Sequence, residues 1–447
     1  MPCTPFITMS RLIQISDNSR KDFEPKQLEE IRTFSGLPIK SIQQNGNPNL
    51  LVFPHSLSDC PDKIQDSMIF TIEGENTLVS GNIMGFVGYK NTRLRIHSRF
   101  AKTDEQDFFL HYMLQRVFAV NLFDLNYTSD QTSIFDFLIY LFPAFLKRAY
   151  RQGLYKEYQT HHYNDTHLRG RIDMAQHIRK NIPFSGNIAY QTREYAYNND
   201  VTQLVRHTIE YIRLHPYANG ILQNDADTKE AVNAIVQATP TYNRQERLKV
   251  INRNLRPIRH PYYGEYRYLQ QLCLQILRHE ELKYGTTNDE IYGILFDGAW
   301  LWEEYLNTLL APIGFLHPHN KDSQGAIYLF NTNPKSAPRY PDFYRQDFIL
   351  DAKYKGYTDK RVSEVDRDDL HQLITYMYIK QAAHGGLVYP SISSDTALSP
   401  AKLCGYGGTI SLYGMTIPQS VSSWKEFKDQ MLYNEKTLVE EIGSFQI

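Results

Sequence analysis

Asp342, Asp351 and Lys353 stand close together in the stretch Pro341–Lys353, read PDFYRQDFILDAK. The stretch predicts two short strands joined by a polar turn at Arg345–Asp347, because Phe348, Ile349 and Leu350 are strand formers and the turn carries Gln346 and Asp347. Side chains alternate along a strand, which puts Ile349, Asp351 and Lys353 on one face and turns Phe348 and Leu350 toward a core. Asp342 lies on the opposing arm, and a hairpin brings it back beside Asp351. Two carboxylates and an ammonium at one spot suit phosphodiester hydrolysis. The carboxylates hold Mg²⁺ through oxygen, the ion acidifies a bound water, and the lysine orients the hydroxide or steadies the pentavalent phosphate. The same short pattern also suits a surface hairpin whose Asp–Lys pair keeps an edge soluble.

Two flanking helices add groups of the right kind. Trp300–Leu310 predicts a helix stopped by Pro312 and Gly314, with Trp302, Tyr305, Leu306 and Leu309 as its apolar face. Glu303 falls on the flank of that face, within reach of the hairpin as a third carboxylate, or simply as a surface glutamate. Downstream, Leu370, Leu373, Ile374 and Met377 mark the buried stripe of a second helix. Gln372 and Tyr376 lie one turn apart on another face, placed to touch a common ligand or to be solvated. A short buried-type strand, Gly386–Pro390, follows.

In order, the elements are a helix with Glu, a strand, a strand with Asp, a strand with Asp-x-Lys, a helix with Gln and a strand. This order resembles the PD-(D/E)xK nuclease core, and more closely the McrC family, the nuclease subunit of McrBC-type modification-dependent restriction systems. The residues that carry the resemblance are Trp302-Glu303, Tyr340-Pro341-Asp342, Asp351-Ala352-Lys353-Tyr354-Lys355, Asp369-Leu370-His371-Gln372 with Tyr376, and Leu387-Val388-Tyr389-Pro390. Earlier in the chain, Leu94–Phe100 is similar to the family pattern that closes its β-region, with His97-Ser98-Arg99 where the family has Ile-x-Pro-Lys. Arg151-Gln152-Gly153-Leu154 and Leu168-Arg169-Gly170-Arg171-Ile172 resemble two further family signatures.

The resemblance implies that Asp342, Asp351 and the Ala352 carbonyl hold Mg²⁺, that Lys353 is the catalytic lysine, and that Glu303 and Gln372 support the site. It implies a mixed α/β chain whose C-terminal nuclease core is a central mixed sheet flanked by helices. It further implies an endodeoxyribonuclease that cuts DNA carrying methylated cytosine. The partner would be an McrB-like AAA+ GTPase hexamer, on which the N-terminal region docks and which it stimulates. By analogy, two copies would serve double-strand cleavage. Two other readings stay open: a non-catalytic activator of the partner NTPase, and a stand-alone repair or recombination nuclease.

Positioning these groups takes a chain of 447 residues, enough for two or three domains. The pattern divides into a β-rich region at 1–102, a helical region at 103–285 and the nuclease region at 286–447. Leu50–Phe53, Ser67–Ile72, Leu78–Ile83, Gly85–Tyr89 and Thr92–Ile96 are expected strands, and Glu24–Phe34 a short helix. Thr103–Gln106 reads as a capping box. Later expected helices run about Thr132–Tyr150, from the Asn199-Asp200 cap, about Thr228–Ala238, Tyr266–Tyr284 and Trp424–Ile442. Thr409–Tyr413 and Met415–Ile417 suggest a closing hairpin or strand pair.

The formal charge is −1, so affinity for DNA must come from local patches or from a partner. Arg169 and Arg171 flank a glycine turn and face either a phosphate or a carboxylate of the chain. Lys249, Arg253 and Arg256 belong to the most basic run, which suits a DNA backbone or a solvated helix flank. Tyr376 is a further candidate DNA contact. No Gly-x-x-x-x-Gly-Lys-Ser/Thr occurs, so no nucleotide is expected to bind this chain. The four cysteines are scattered, without zinc or disulfide spacing, which fits a reducing cytoplasm. Ile134–Leu146 is apolar but too short to span a bilayer, and no membrane association is expected.

Overall fold

The computed structural model describes residues 11–44, 50–54, 67–102, 107–118, 132–215, 219–223, 225–283, 291–318, 326–332, 336–356, 361–393, 400–405 and 407–443. The chain forms two compact units, 1–122 joined with 288–447, and 123–287. The helical region is expected at 103–285, but residues 103–122 belong to the first unit. The expected separation of 1–102 from 286–447 is corrected, because those stretches share a sheet.

That sheet has five strands in the spatial order Arg11–Ser16, Thr92–His97, Ile83–Tyr89, Tyr292–Asp297, Leu50–Phe53. Tyr292–Asp297, from the C-terminal region, lies antiparallel to Ile83–Tyr89 and parallel to Leu50–Phe53. Leu295 completes a core with Ile13, Ile15, Val52, Val87, Leu94 and Ile96. An apolar run such as Ile294–Phe296 declares itself a strand. It does not declare its neighbours, because pairing is decided by distant residues.

The insertion depends on a close backbone approach. Gly85 has φ of +127°, and a Cβ there would stand 2.1 Å from the Ile294 carbonyl oxygen. Gly85→Ala is therefore expected to destabilise the unit by about 2–4 kcal/mol, through left-handed strain and a broken ladder. Chemical denaturation checks this. A loss within about 0.5 kcal/mol, the usual surface range, would mean that the strand does not need the gap.

The second sheet of the unit runs Phe343–Arg345, Phe348–Ala352, His384–Ser391, Thr409–Thr416, Ala401–Lys402. The expected closing hairpin at 409–417 is instead one strand, Thr409–Thr416, parallel to His384–Ser391. Phe348–Ala352 is buried along its whole length. Ile349 shares its face with Asp351 as expected, yet it too is core, packed with Leu373, Met377, Leu387 and Leu412. Gly385 makes room for this packing: a Cβ there would lie 2.4 Å from the Met377 sulfur. The helix Gly298–Leu310 packs against the same strand, and its N-cap Asp297 accepts from the Trp300 N–H at 2.9 Å.

In the unit 123–287, Asn199 caps the helix Asp200–Leu214 by accepting from Val201 and Thr202 N–H groups, each at 3.1 Å. The region expected to be helical also holds a three-stranded antiparallel sheet, ordered Glu157–Asp165, Ile188–Ala196, Arg171–Ile172. Glu157–Asp165 is polar on both faces, so it lacks the alternation that marks a half-buried strand.

The short helix expected at 24–34 is a turn of helix at Pro25–Leu28 followed by a 3₁₀ turn at Ile31–Phe34. Thr103–Gln106, Cys3 and Cys60 lie outside the described residues. Cys273 is buried and Cys404 exposed. Among the described residues, no helix is long and apolar enough to cross a membrane.

Candidate active site

The expected hairpin forms. Phe343 pairs with Leu350, Tyr344 with Ile349 and Arg345 with Phe348, and Gln346 takes a left-handed φ of 47° in the turn. This register sets half-buried Asp342 opposite Asp351, and the Asp342 Oδ2 accepts from the Ala352 N–H at 2.7 Å. Asp351 is fully buried. The strand ends at Ala352, and the Lys353 N–H donates to the Val388 carbonyl at 2.9 Å, which holds the lysine at the sheet margin.

The lysine joins hairpin to helix. Its Nζ lies 2.7 Å from Asp351 Oδ2 and 3.6 Å from Asp369 Oδ1, and it donates to Gln372 Oε1 at 2.9 Å. The Gln372 amide in turn donates to the Tyr376 hydroxyl at 2.9 Å. Asp342, Asp351, Lys353 and Gln372 are thus assembled as expected. Tyr376 is only 4 % exposed, so it braces Gln372 and does not present a surface to DNA. Glu303 is half-buried on the helix that packs against the motif strand.

Two members of the cluster, Asp369 and Tyr354, carry the family resemblance but have no role in the site expected of them from the sequence. Asp369 is 8 % exposed and stands 2.5 Å from the Lys355 ammonium as well as near Lys353. Its signal was available: it precedes Gln372 by three residues on one helix, and such positions are neighbours. Tyr354, beside Lys353, is 5 % exposed. Its hydroxyl lies 2.7 Å from Ser98 Oγ, its ring meets Phe100 edge-on at 5.2 Å, and the Arg99 guanidinium lies 5.0 Å from the ring centre. Arg99 is itself held by Asp17 and Asn82. Ser98 and Arg99 therefore anchor the motif to the N-terminal sheet.

Burial, and then the neighbouring Asp351, hold the Asp342 carboxyl well above the usual carboxylate range. Burial likewise raises Asp351, partly offset by Lys353. Burial alone would lower the Lys353 ammonium, but Asp351, Asp342 and Asp369 together outweigh it and push it up. Burial lifts the Tyr376 hydroxyl to about 12, so it stays a neutral donor and acceptor.

A divalent cation fits this chemistry. Among the described residues, no donor satisfies either Asp351 oxygen with ordinary hydrogen-bond geometry, leaving the Lys353 ion pair as its compensation. Two carboxylates forced together in a buried place are relieved by a hard cation that takes oxygen ligands. Among the described residues, no group of three or more His, Cys, Asp or Glu side chains is arranged to hold a metal.

Arg169, Arg171, Lys249, Arg253 and Arg256 belong to the unit 123–287. Arg169, Arg171 and Arg256 are exposed, whereas Lys249 pairs with Glu246 at 3.2 Å and Arg253 with Asp200 at 3.1 Å.

A mixed sheet that carries Asp, Asp-x-Lys and a supporting Gln helix in this order resembles the PD-(D/E)xK core. Residues 78–390 match the family model described as McrBC 5-methylcytosine restriction system component. The chain belongs to that family, and the McrC resemblance of its motifs agrees with this. Among solved structures, it is similar to a chain of the refined half-complex from the tetradecameric assembly of Thermococcus gammatolerans McrB AAA+ hexamers with bound McrC. That chain is 18 % identical, with 95 % of this chain and 99 % of that one covered at a TM-score of 0.49. A chain of the Thermococcus gammatolerans McrBC complex is 16 % identical, with 67 % and 87 % covered at a TM-score of 0.33. No curated protein matches the chain.

Proposed function

We propose that the chain is the Mg²⁺-dependent endonuclease subunit of its restriction system, cutting DNA that contains 5-methylcytosine together with an AAA+ GTPase partner. The carrying observation is buried Asp351, opposite Asp342 and ion-paired to Lys353. Asp342, Asp351 and the Ala352 carbonyl would hold the ion. When bound, such an ion supplies a water of lowered pKa and neutralises charge on the scissile phosphate.

Lys353 offers a fixed cation beside that phosphate. Gln372 and Asp369 keep its ammonium from swinging away, and Tyr376 fixes the Gln372 amide. A cationic donor already aimed at developing negative charge needs little rearrangement when the pentavalent state forms. Glu303, on the adjoining helix, would support the site.

The chain carries no Walker-type motif, so nucleotide-driven work would fall to the partner, which we take to be an McrB-like hexamer. The region 1–102 would dock on it. Asp351→Ala, assayed with partner, GTP and Mg²⁺ on methylated DNA, is expected to lose at least about 10³-fold in cleavage rate. Cutting at the normal rate would remove the hairpin from catalysis and sink the proposal.

A further inference from the structure

The unit 123–287 bears a groove of about 840 Å³ that the hairpin chemistry does not use. Tyr197 at 45 % and Tyr262 at 63 % exposure present ring surface around it, while Tyr195 packs on Tyr158, 4.5 Å between ring centres, beside the Lys156 ammonium. Arg151 and Lys156 bring two cations, and among the described residues no acidic side chain lines the groove. Tyr197 and Tyr262, this exposed and beside two cations, offer apolar surface for a ligand.

The floor is built rather than loose. Buried Tyr155 lies 5.1 Å from Tyr263 and 5.4 Å from Tyr266, ring centre to ring centre, and the Tyr266 hydroxyl donates to the Gly153 carbonyl at 2.8 Å. Gln152 Oε1 accepts from the Glu265 N–H at 3.1 Å, and the Asn199 amide donates to the Tyr155 carbonyl at 3.2 Å. The floor thus ties together the end of the helix Thr132–Arg151, the start of Glu157–Asp165, the cap of Asp200–Leu214 and the start of Gly264–Lys283. The rings are positioned before any ligand arrives.

The ligand class follows from charge. The Lys156 ammonium lies 4.9 Å from the Tyr195 ring centre and 5.8 Å from that of Tyr197. The chain's own cation takes the place that a foreign ammonium would need, which turns the site toward an anion with flat apolar parts. Unpaired bases on a phosphate backbone are such a ligand, whereas a duplex hides its base faces in its own stack.

We propose that this groove binds a short single-stranded segment of DNA, its bases stacked on Tyr197 and Tyr262 and its phosphates paired with Arg151 and Lys156. Recognition by stacking is tolerant of sequence, and its affinity falls with salt in proportion to the phosphates engaged.

The test is fluorescence anisotropy of a labelled oligothymidine with the full chain in EDTA, so that cleavage plays no part and failure of the nuclease reading leaves it intact. Tyr197→Ala and Tyr262→Ala are each expected to weaken binding by about 5- to 100-fold, while Tyr197→Phe and Tyr262→Phe bind as the parent does. The double change Arg151→Ala with Lys156→Ala is expected to flatten the slope of log affinity against log salt by about 1.4. Thermal melts establish that each variant is folded. The proposal is overturned by absence of binding in the parent, by equal affinity for a duplex of the same length, by thymidine monophosphate competing as well per site as the oligomer, or by folded alanine variants that bind normally.

Discussion

Asp342→Asn is expected to lose DNA cleavage by at least about 10³-fold and, in the same protein, to gain stability at neutral pH when no metal is present. The asparagine carbonyl can still accept from the Ala352 N–H, so the backbone contact survives. What disappears is one of two negative charges that burial and mutual repulsion oppose. The sign follows from linkage. The folded-state pKa of Asp342 lies above its unfolded value, so the native chain holds the more protons across that interval. Wild-type stability therefore falls as pH rises from the ordinary carboxylate range, about 4, through the raised folded value.

The asparagine chain has no such proton to lose at this position. The two stabilities should nearly coincide in acid and diverge toward neutrality, with the variant ahead by on the order of 1 kcal/mol, the scale of one pKa unit. Mg²⁺ should close the gap, because a ligand that binds only the native state stabilises it by mass action, and the variant lacks one ligand. Thermal melts of both proteins at acid and neutral pH, with and without Mg²⁺, read all of this. A variant that is less stable at neutral pH, or that Mg²⁺ stabilises as much as the parent, would show that the aspartates are not a metal pair.

Lys353→Met should act in the opposite sense on stability. Methionine keeps much of the side-chain volume while removing the charge that Asp351 and Asp369 rely on. Removing one partner of a buried ion pair costs about 3–5 kcal/mol when the other charge is left stranded. Here the aspartates are already poised to take up protons, since their carboxyls sit above the usual range. That uptake limits the loss to about 2–3 kcal/mol at neutral pH and makes it smaller in acid. Cleavage should fall by about 10²–10⁴-fold. Arginine should not restore it, because a rigid planar fork does not replace a compact ammonium aimed at one carboxylate oxygen. The measurement is a denaturation series across pH beside cleavage assays. A pH-independent stability loss would mean that the lysine is packing and not charge compensation, and full activity would remove it from the chemistry.

The two substitutions separate roles that activity alone would merge. Both should cripple cleavage, yet one relieves charge repulsion and the other exposes it. A site built for packing would have no reason to respond with opposite signs.

Much of this site was legible from its residues. Strand propensity and a polar turn placed Asp342 against Asp351, and the structure supplies that register. Helical spacing placed Gln372 and Tyr376 one turn apart, and they hydrogen-bond. These are relations among near neighbours in the chain, which local geometry governs. The same locality explains Asn199, whose side chain caps the helix that follows it.

Other features depend on pairings between distant segments. Nothing in Ile294–Phe296 says that it will enter a sheet built from the first hundred residues, between Ile83–Tyr89 and Leu50–Phe53. Thr409–Tyr413 and Met415–Ile417 look like two paired strands, but 409–416 is one strand, parallel to His384–Ser391 on one side and antiparallel to Ala401–Lys402 on the other. Tyr376 has an amphiphilic side chain at home in either setting, and only the packing of its helix on the sheet made it buried. Tyr354 lies beside the lysine in sequence, yet its hydroxyl partner, Ser98, is far up the chain.

By itself, then, the order of residues determined the chemistry available at the hairpin: two carboxylates, an ammonium and a turn that brings them face to face. The tertiary structure alone decided how that chemistry is tuned, by burying Asp351, bracing Lys353 with Asp369 and Gln372, and bolting Tyr354 to the N-terminal sheet. The physical reason is range. Backbone propensity and side-chain periodicity act over a few residues, whereas desolvation and charge compensation depend on whatever the rest of the chain packs alongside.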